Sequence, residues 1–168
     1  MSDVKNLYGT GTVQKLKDLV KQEKSGMLCY NVSEFPLGTC PMYVQEVDDQ
    51  GDIWFFSGRN SEHNMAIVKD NRVQFLSSNT GDSAYFSIAG EAEIVFDRAK
   101  AEKLWNPMAK VWFQEGVDDP NLSLLRFTPE VGHYWDSKNN KMVEFLKMAA
   151  SVVVGETMDD GRHGKMTL

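Results

Sequence analysis

The segment Ile53 to Asn64, IWFFSGRNSEHN, carries the most chemistry in this sequence, because an apolar strand runs directly into hydroxyls, a guanidinium and the start of a helix. Ser57, Arg59 and Ser61 can converge there on an anion. The first N–H groups of a helix lack intrahelical acceptors, and the helix dipole favours negative charge beside them. A phosphate fits such a turn, with Arg59 adding a charge-assisted contact, while the adjoining apolar strand can carry a flat ring. The same residues also make a strand, a turn and a helix capped by Ser61 that holds no ligand. Spacing alone leaves both readings open.

Other chemistry has less support. His63, His133 and His163 are far apart and show no spacing that would bring two onto one helix face for zinc, so no metal site is expected. Gly9-Thr10-Gly11 opens like a dinucleotide loop, but no strand precedes it and Gln14 stands where the third glycine belongs. No GxSxG elbow is present, which removes the support for hydrolysis. Cys29 and Cys40 form no CxxC pair and are expected to be free thiols. The DDQGD run, Asp48 to Asp52, has the Asp and Gly of a hairpin loop and lacks the spaced ligands of a calcium loop.

The elements that would position these residues follow from periodicity. Val13, Leu16, Leu19 and Val20 predict an amphipathic helix over 10–24. Strand patterns cover 27–32, 42–47, 53–57, 72–77 and 84–96, then 123–128 and 131–135. In the long fifth strand Phe86, Ile88, Ala92, Ile94 and Phe96 share one face, and Gly90 interrupts that row as a coiled barrel strand requires. Two helical insertions interrupt the strands. Ser61 caps the first, with Met65 and Val68 facing inward, and the second begins near Asp97. A C-terminal helix is expected over 141–154 and a mobile tail over 155–168. Trp105 and Trp112 read as packing residues.

One domain is expected over the 168 residues, with 27–135 forming a small mainly β, α+β barrel of six or seven antiparallel strands and peripheral helices. Twenty-four acidic against eighteen basic residues oppose nucleic-acid binding, and the apolar runs are too short to span a bilayer. With no export signal pattern at the N-terminus, a cytoplasmic location is expected.

Three stretches resemble a known family, the pyridoxamine 5′-phosphate oxidase-like FMN-binding split barrels, in particular the general stress protein branch. They are MLCYN; TCPMYV followed by DIWFFSGRNSEHN; and LWNPMAKVWFQEGVDDPNLSLLRFTPEVGHYWDS, Leu104 to Ser137. The last is the most specific, through its Trp-Asn-Pro, Gln-Glu-Gly, Asp-Asp-Pro and Tyr-Trp-Asp elements. The resemblance implies a homodimeric split barrel with FMN held between subunits. It places Thr39, Cys40, Pro41 and Met42 along the isoalloxazine, Phe55 and Phe56 at the ring and ribityl chain, and Ser57, Arg59, Ser61 and His63 near the phosphate. Trp135 is similar to the family's tryptophan that reaches the flavin from the other subunit.

The sequence departs from the true oxidases in two places. Glu62 and His63 occupy the positions of an Arg-Lys pair in the phosphate turn, and Trp135 is followed by Asp136, Ser137, Lys138, Asn139 and Asn140 instead of an Arg- and His-containing substrate motif. Pyridoxamine phosphate oxidation is therefore not expected. The resemblance implies a flavin-dependent oxidoreductase whose substrate is an unidentified small molecule; no side chain stands out as a catalytic acid or base. A flavin-binding stress protein without turnover, or a deazaflavin- or haem-binding relative, would fit the same barrel.

Overall fold

The computed structural model describes residues 7–8, 10–81, 84–136 and 162–167. Its elements in order are β1 (Leu7–Tyr8), α1 (Thr10–Gln22), β2 (Ser25–Tyr30), β3 (Gly38–Val47), β4 (Ile53–Gly58), α2 (Glu62–Lys69), β5 (Arg72–Asn79), β6 (Ala84–Val95), α3 (Arg98–Leu104), 3-10 turns at Pro107–Val111 and Gly116–Asp118, β7 (Leu122–Asp136) and β8 (Arg162–Thr167). The sheet order β7-β4-β3-β2-β5-β6 returns to β7, so six antiparallel strands close into a barrel. Closure removes the free edges that an open sheet of these strands would present. No helix among the described residues is long and apolar enough to cross a membrane.

Alternation along the strands fills the barrel. Leu28, Val44, Ile53, Phe55, Phe75, Ile88, Leu125 and Phe127 point inward and are fully or almost fully buried, and Leu16 and Leu19 of α1 join the same cluster. A second cluster lies outside the barrel wall, where Trp54 and Leu124 pack with Ala101, Ala109 and Phe113 beneath α3 and the first 3-10 turn. The hairpin at Asp48 forms as its composition implies. Asp48 Oδ1 accepts from the N–H of Gln50 and of Asp52, its Oδ2 accepts from Trp54 Nε1, and Gly51 takes the left-handed φ of 91°.

The two expected strands 123–128 and 131–135 are one strand, β7, that runs through Pro129. Pro129 lies opposite Gly90 at a register shift, where Glu130 is the extra residue on β7, and a bulge is one of the few places in a sheet that tolerate proline. The strands cross so closely there that a Cβ on residue 90 would stand 2.1 Å from the Thr128 carbonyl oxygen.

Several expectations need correction. Val68 is 77% exposed and Met65 is exposed too, because Ser61 caps the helix so that Asn64, Ala66 and Ile67 face the barrel instead. Phe96 lies past the end of β6 and is exposed, its ring covered by Arg59. Part of the expected tail, 162–167, is β8, which pairs antiparallel with β7 and parallel with β1. The expected helix 141–154 lies outside the described residues.

Candidate functional site

Between β4 and α2 the chain turns through Gly58, Arg59 and Asn60. Asn121, which precedes β7, ties this turn down: its carbonyl accepts from Arg59 N–H at 2.7 Å and its Oδ1 from Asn60 N–H at 3.4 Å. Ser61 then caps α2, its Oγ accepting from Asn64 N–H at 3.3 Å. The N–H groups of Glu62 and His63 have no acceptor among the described residues, and Glu62 places an acid in the helix's first turn.

Beneath the turn lies a buried polar chain. Ser57, Asn64 and Ser123 are only 2%, 1% and 2% exposed. Ser123 Oγ donates to the Ser57 carbonyl at 2.9 Å and accepts from Asn64 Nδ2 at 3.1 Å. Ser57 Oγ donates to Asn64 Oδ1 at 2.7 Å. Nε2 of His63 lies 2.7 Å from Ser57 Oγ and 3.0 Å from Ser61 Oγ. His63 is half-buried; burial lowers its pKa, while the neighbouring Glu62 carboxylate acts the other way.

This arrangement sorts the serines. Ser57 faces the barrel interior and its single hydroxyl proton is committed to Asn64, so it presents no donor to a ligand and holds the turn from below. Ser61 accepts from Asn64 N–H and lies beside His63, and its own proton remains available. Arg59 is exposed, its guanidinium carbon 4.5 Å from the centre of the Phe96 ring. Ser57, Ser61 and His63 are thus brought together, while the Arg59 guanidinium lies on Phe96.

The remaining residues divide by strand face. On β3, Cys40 and Met42 pack against the barrel core while Thr39 and Pro41 point outward. Burial pushes the Cys40 thiol up to about 11, with smaller contributions from Cys29 and Glu62, so a reactive thiolate is not present at neutral pH. Phe55 is wholly inside the barrel against Phe75 and has no side-chain surface for a ring. Phe56 points the other way, with Trp105 at 5.6 Å and Phe113 at 6.3 Å between ring centres. Trp105 is therefore a packing residue, whereas Trp112 is exposed.

Trp135 stands at the far end of β7 from the turn. Gly58 pairs with Leu122 at the start of β7, and Trp135 lies thirteen residues further along that strand, a path of about 40 Å. It is 42% exposed and stacks on His133. Across the same outer surface Pro41, Met27 and Leu76 stand side by side on β3, β2 and β5, and Tyr85 pairs with Trp135. Met27, Leu76, Tyr85 and Trp135 are all exposed.

Asn64, Asn121 and Ser123 were not singled out by sequence reasoning. The available signals were a polar residue three positions before Ile67 in a buried helical phase, and a serine opening the apolar run Ser123 to Leu125.

The profile of the family described as "Pyridoxamine 5'-phosphate oxidase like" matches residues 11–159. The protein bli-3 of Neurospora crassa is 28% identical over 158 residues, covering 85% of this chain and 75% of that protein. The crystal structure of a candidate general stress protein 26 from Jannaschia sp. CCS1 superposes with a TM-score of 0.74 at 26% identity, over 95% of this chain and 100% of that one. A general stress FMN/FAD binding protein from Xanthomonas citri gives a TM-score of 0.65 at 28% identity, over 77% of this chain and 90% of that one. The match along most of the sequence, together with the closed six-stranded barrel, identifies the chain as a member of the pyridoxamine 5′-phosphate oxidase-like family.

Proposed function

We propose that this chain is a cytoplasmic FMN-binding flavoprotein that works as a homodimer and passes electrons between its flavin and a small molecule. One observation carries the reading: the start of α2 offers an unspent Ser61 hydroxyl and two N–H groups without acceptors among the described residues, with the exposed Arg59 side chain two residues before the cap. These residues would hold the phosphate. Thr39 and Pro41, with the backbone of Cys40 and Met42, would lie along the ring, and Phe56 would wall the space from the β4 side. Once bound, FMN would supply the electron-transfer chemistry, while the protein binds and orients it.

The separation along β7 supports the dimer. A Trp135 that lies a long strand away from its own turn would meet flavin only when offered by a second copy, and the exposed row of Met27, Leu76, Tyr85 and Trp135 is the apolar surface such a copy would cover. The residues after Trp135, Asp136 to Asn140, in place of an Arg- and His-containing substrate motif argue against pyridoxamine phosphate as the substrate. The test is the absorbance spectrum of the purified protein with identification of the released cofactor. A yellow protein releasing FMN is expected, and a colourless protein that takes up no added flavin would remove the reading.

A further inference from the structure

The buried chain beneath the turn has a fixed hydrogen-bond direction, which can be followed proton by proton. It starts at a group that can only accept, the Ser57 carbonyl, to which Ser123 must give its one hydroxyl proton. Ser123 can then only accept from Asn64, so the amide nitrogen of Asn64 faces Ser123 and its oxygen faces Ser57. Both ends of the amide are thereby assigned. Ser57 gives its one proton to that oxygen and has only lone pairs left for His63, 2.7 Å away. A contact of that length between Ser57 Oγ and Nε2 therefore requires the hydrogen on Nε2. Nδ1 of His63 has no partner among the described residues.

We propose that the Ser123–Asn64–Ser57 relay fixes the hydrogen of neutral His63 on Nε2, so that Nδ1 is the atom of the turn that takes up a proton when an anion binds. The anion is the flavin phosphate if the functional reading above holds, and the inference rests on that reading for this step. His63 then substitutes for a permanent cation with one that is charged only in the complex. An empty turn carries no buried imidazolium, which would be costly in a half-buried position. Binding of a phosphate draws in a proton, and the imidazolium pairs with the charge that summoned it. The titratable and charged groups around the ring are Glu62 on its own helix, Tyr30 of β2 with ring centres 6.2 Å apart, and Cys40 of β3 behind Tyr30, while the Arg59 guanidinium of the same turn lies on Phe96. Tyr30 and Cys40 both have pKa values raised by burial and stay neutral over the range in which histidine titrates, leaving Glu62 as the fixed charge beside the ring.

Histidine-selective 15N NMR on the full chain tests both parts. In flavin-free protein above the His63 titration, the ring is expected as the Nε2–H tautomer. Ser123→Ala frees the amide to turn and should yield a mixture of tautomers, whereas Ser123→Thr keeps the hydroxyl and should preserve the single form. The His63 midpoint should then rise by at least one pH unit with FMN and stay in place with riboflavin, which lacks the phosphate; one unit corresponds to tenfold tighter binding by the protonated form. An Nδ1–H tautomer in the parent protein overturns the relay. An unchanged midpoint in a protein that binds FMN more tightly than riboflavin overturns the proton uptake. A protein that binds neither flavin yet keeps the Nε2–H tautomer supports the relay and removes the functional reading together with the proton uptake.

Discussion

Replacing Asn64 with leucine should expose how strongly the buried chain holds the turn. Leucine is similar in size but removes an acceptor from Ser57 and a donor from Ser123. Ser57 is 2% exposed, so its hydroxyl proton finds no water, and its one other neighbour, His63 Nε2, can accept only by giving up its own hydrogen; losing the Asn64 acceptor therefore costs about 1–3 kcal/mol. Ser123 still donates to the Ser57 carbonyl, so its loss is that of one neutral hydrogen bond, about 0.5–1.5 kcal/mol. The sum is about 1.5–4.5 kcal/mol, equivalent to roughly 3–18 °C in Tm for a domain of this size. Urea unfolding followed by tryptophan fluorescence should show a lower midpoint with an unchanged slope. The decisive comparison is the double variant Ser57→Ala with Asn64→Leu. It removes the displaced hydroxyl and should lose less than the sum of the two single losses by about 1 kcal/mol. If the two losses simply add, the chain is not the coupled unit that the distances describe.

Ser61→Ala should weaken FMN by about tenfold or more, since a hydrogen bond to a charged group is worth about 1.5–3 kcal/mol, and should leave riboflavin nearly unchanged; equal losses for both ligands, measured by fluorescence titration, would place the phosphate elsewhere. Light scattering at micromolar concentration should return twice the 19.0 kDa chain mass, and Trp135→Ala should weaken flavin binding although the residue lies at the far end of β7 from the turn of its own chain; a monomer with parental affinity contradicts the shared site. Gly90→Ala should prevent correct closure of the barrel or cost several kcal/mol (about 3 or more), because the added methyl meets backbone on β7 instead of a side chain that can move, and circular dichroism on heating measures it. Asp70 is held down to about 2, first by the side-chain hydrogen bond from Arg72, so its stabilisation is present above about pH 4 and is lost as pH falls toward 2. Asp70→Asn should flatten stability against pH in that acid window and leave the profile above pH 5 unchanged.

The parts of this protein that were legible in its sequence are those decided by neighbours along the chain. Alternation in Ala84 to Val95 marked a half-buried strand, Asp48 and Gly51 marked the hairpin, and Ser61 before Glu62 marked a helix start. The side-chain period of two, the left-handed glycine and the unpaired N–H groups of a first turn are all local properties. From them came the barrel and the location of the candidate anion turn. What only the tertiary structure decided is which way each group on that turn points. Ser57 and Ser61 look equivalent in sequence, yet Ser57 is turned inward by Asn64, whose other end is held by Ser123, 59 residues away. Phe55 and Phe56 differ in the same manner, one inside the barrel and the other beneath Trp105. β8 escaped notice because a six-residue strand is specified by its partner on β7 more than by its own pattern. Hydrogen-bond direction and strand pairing depend on partners that long-range register brings together, and a local period carries no information about that register.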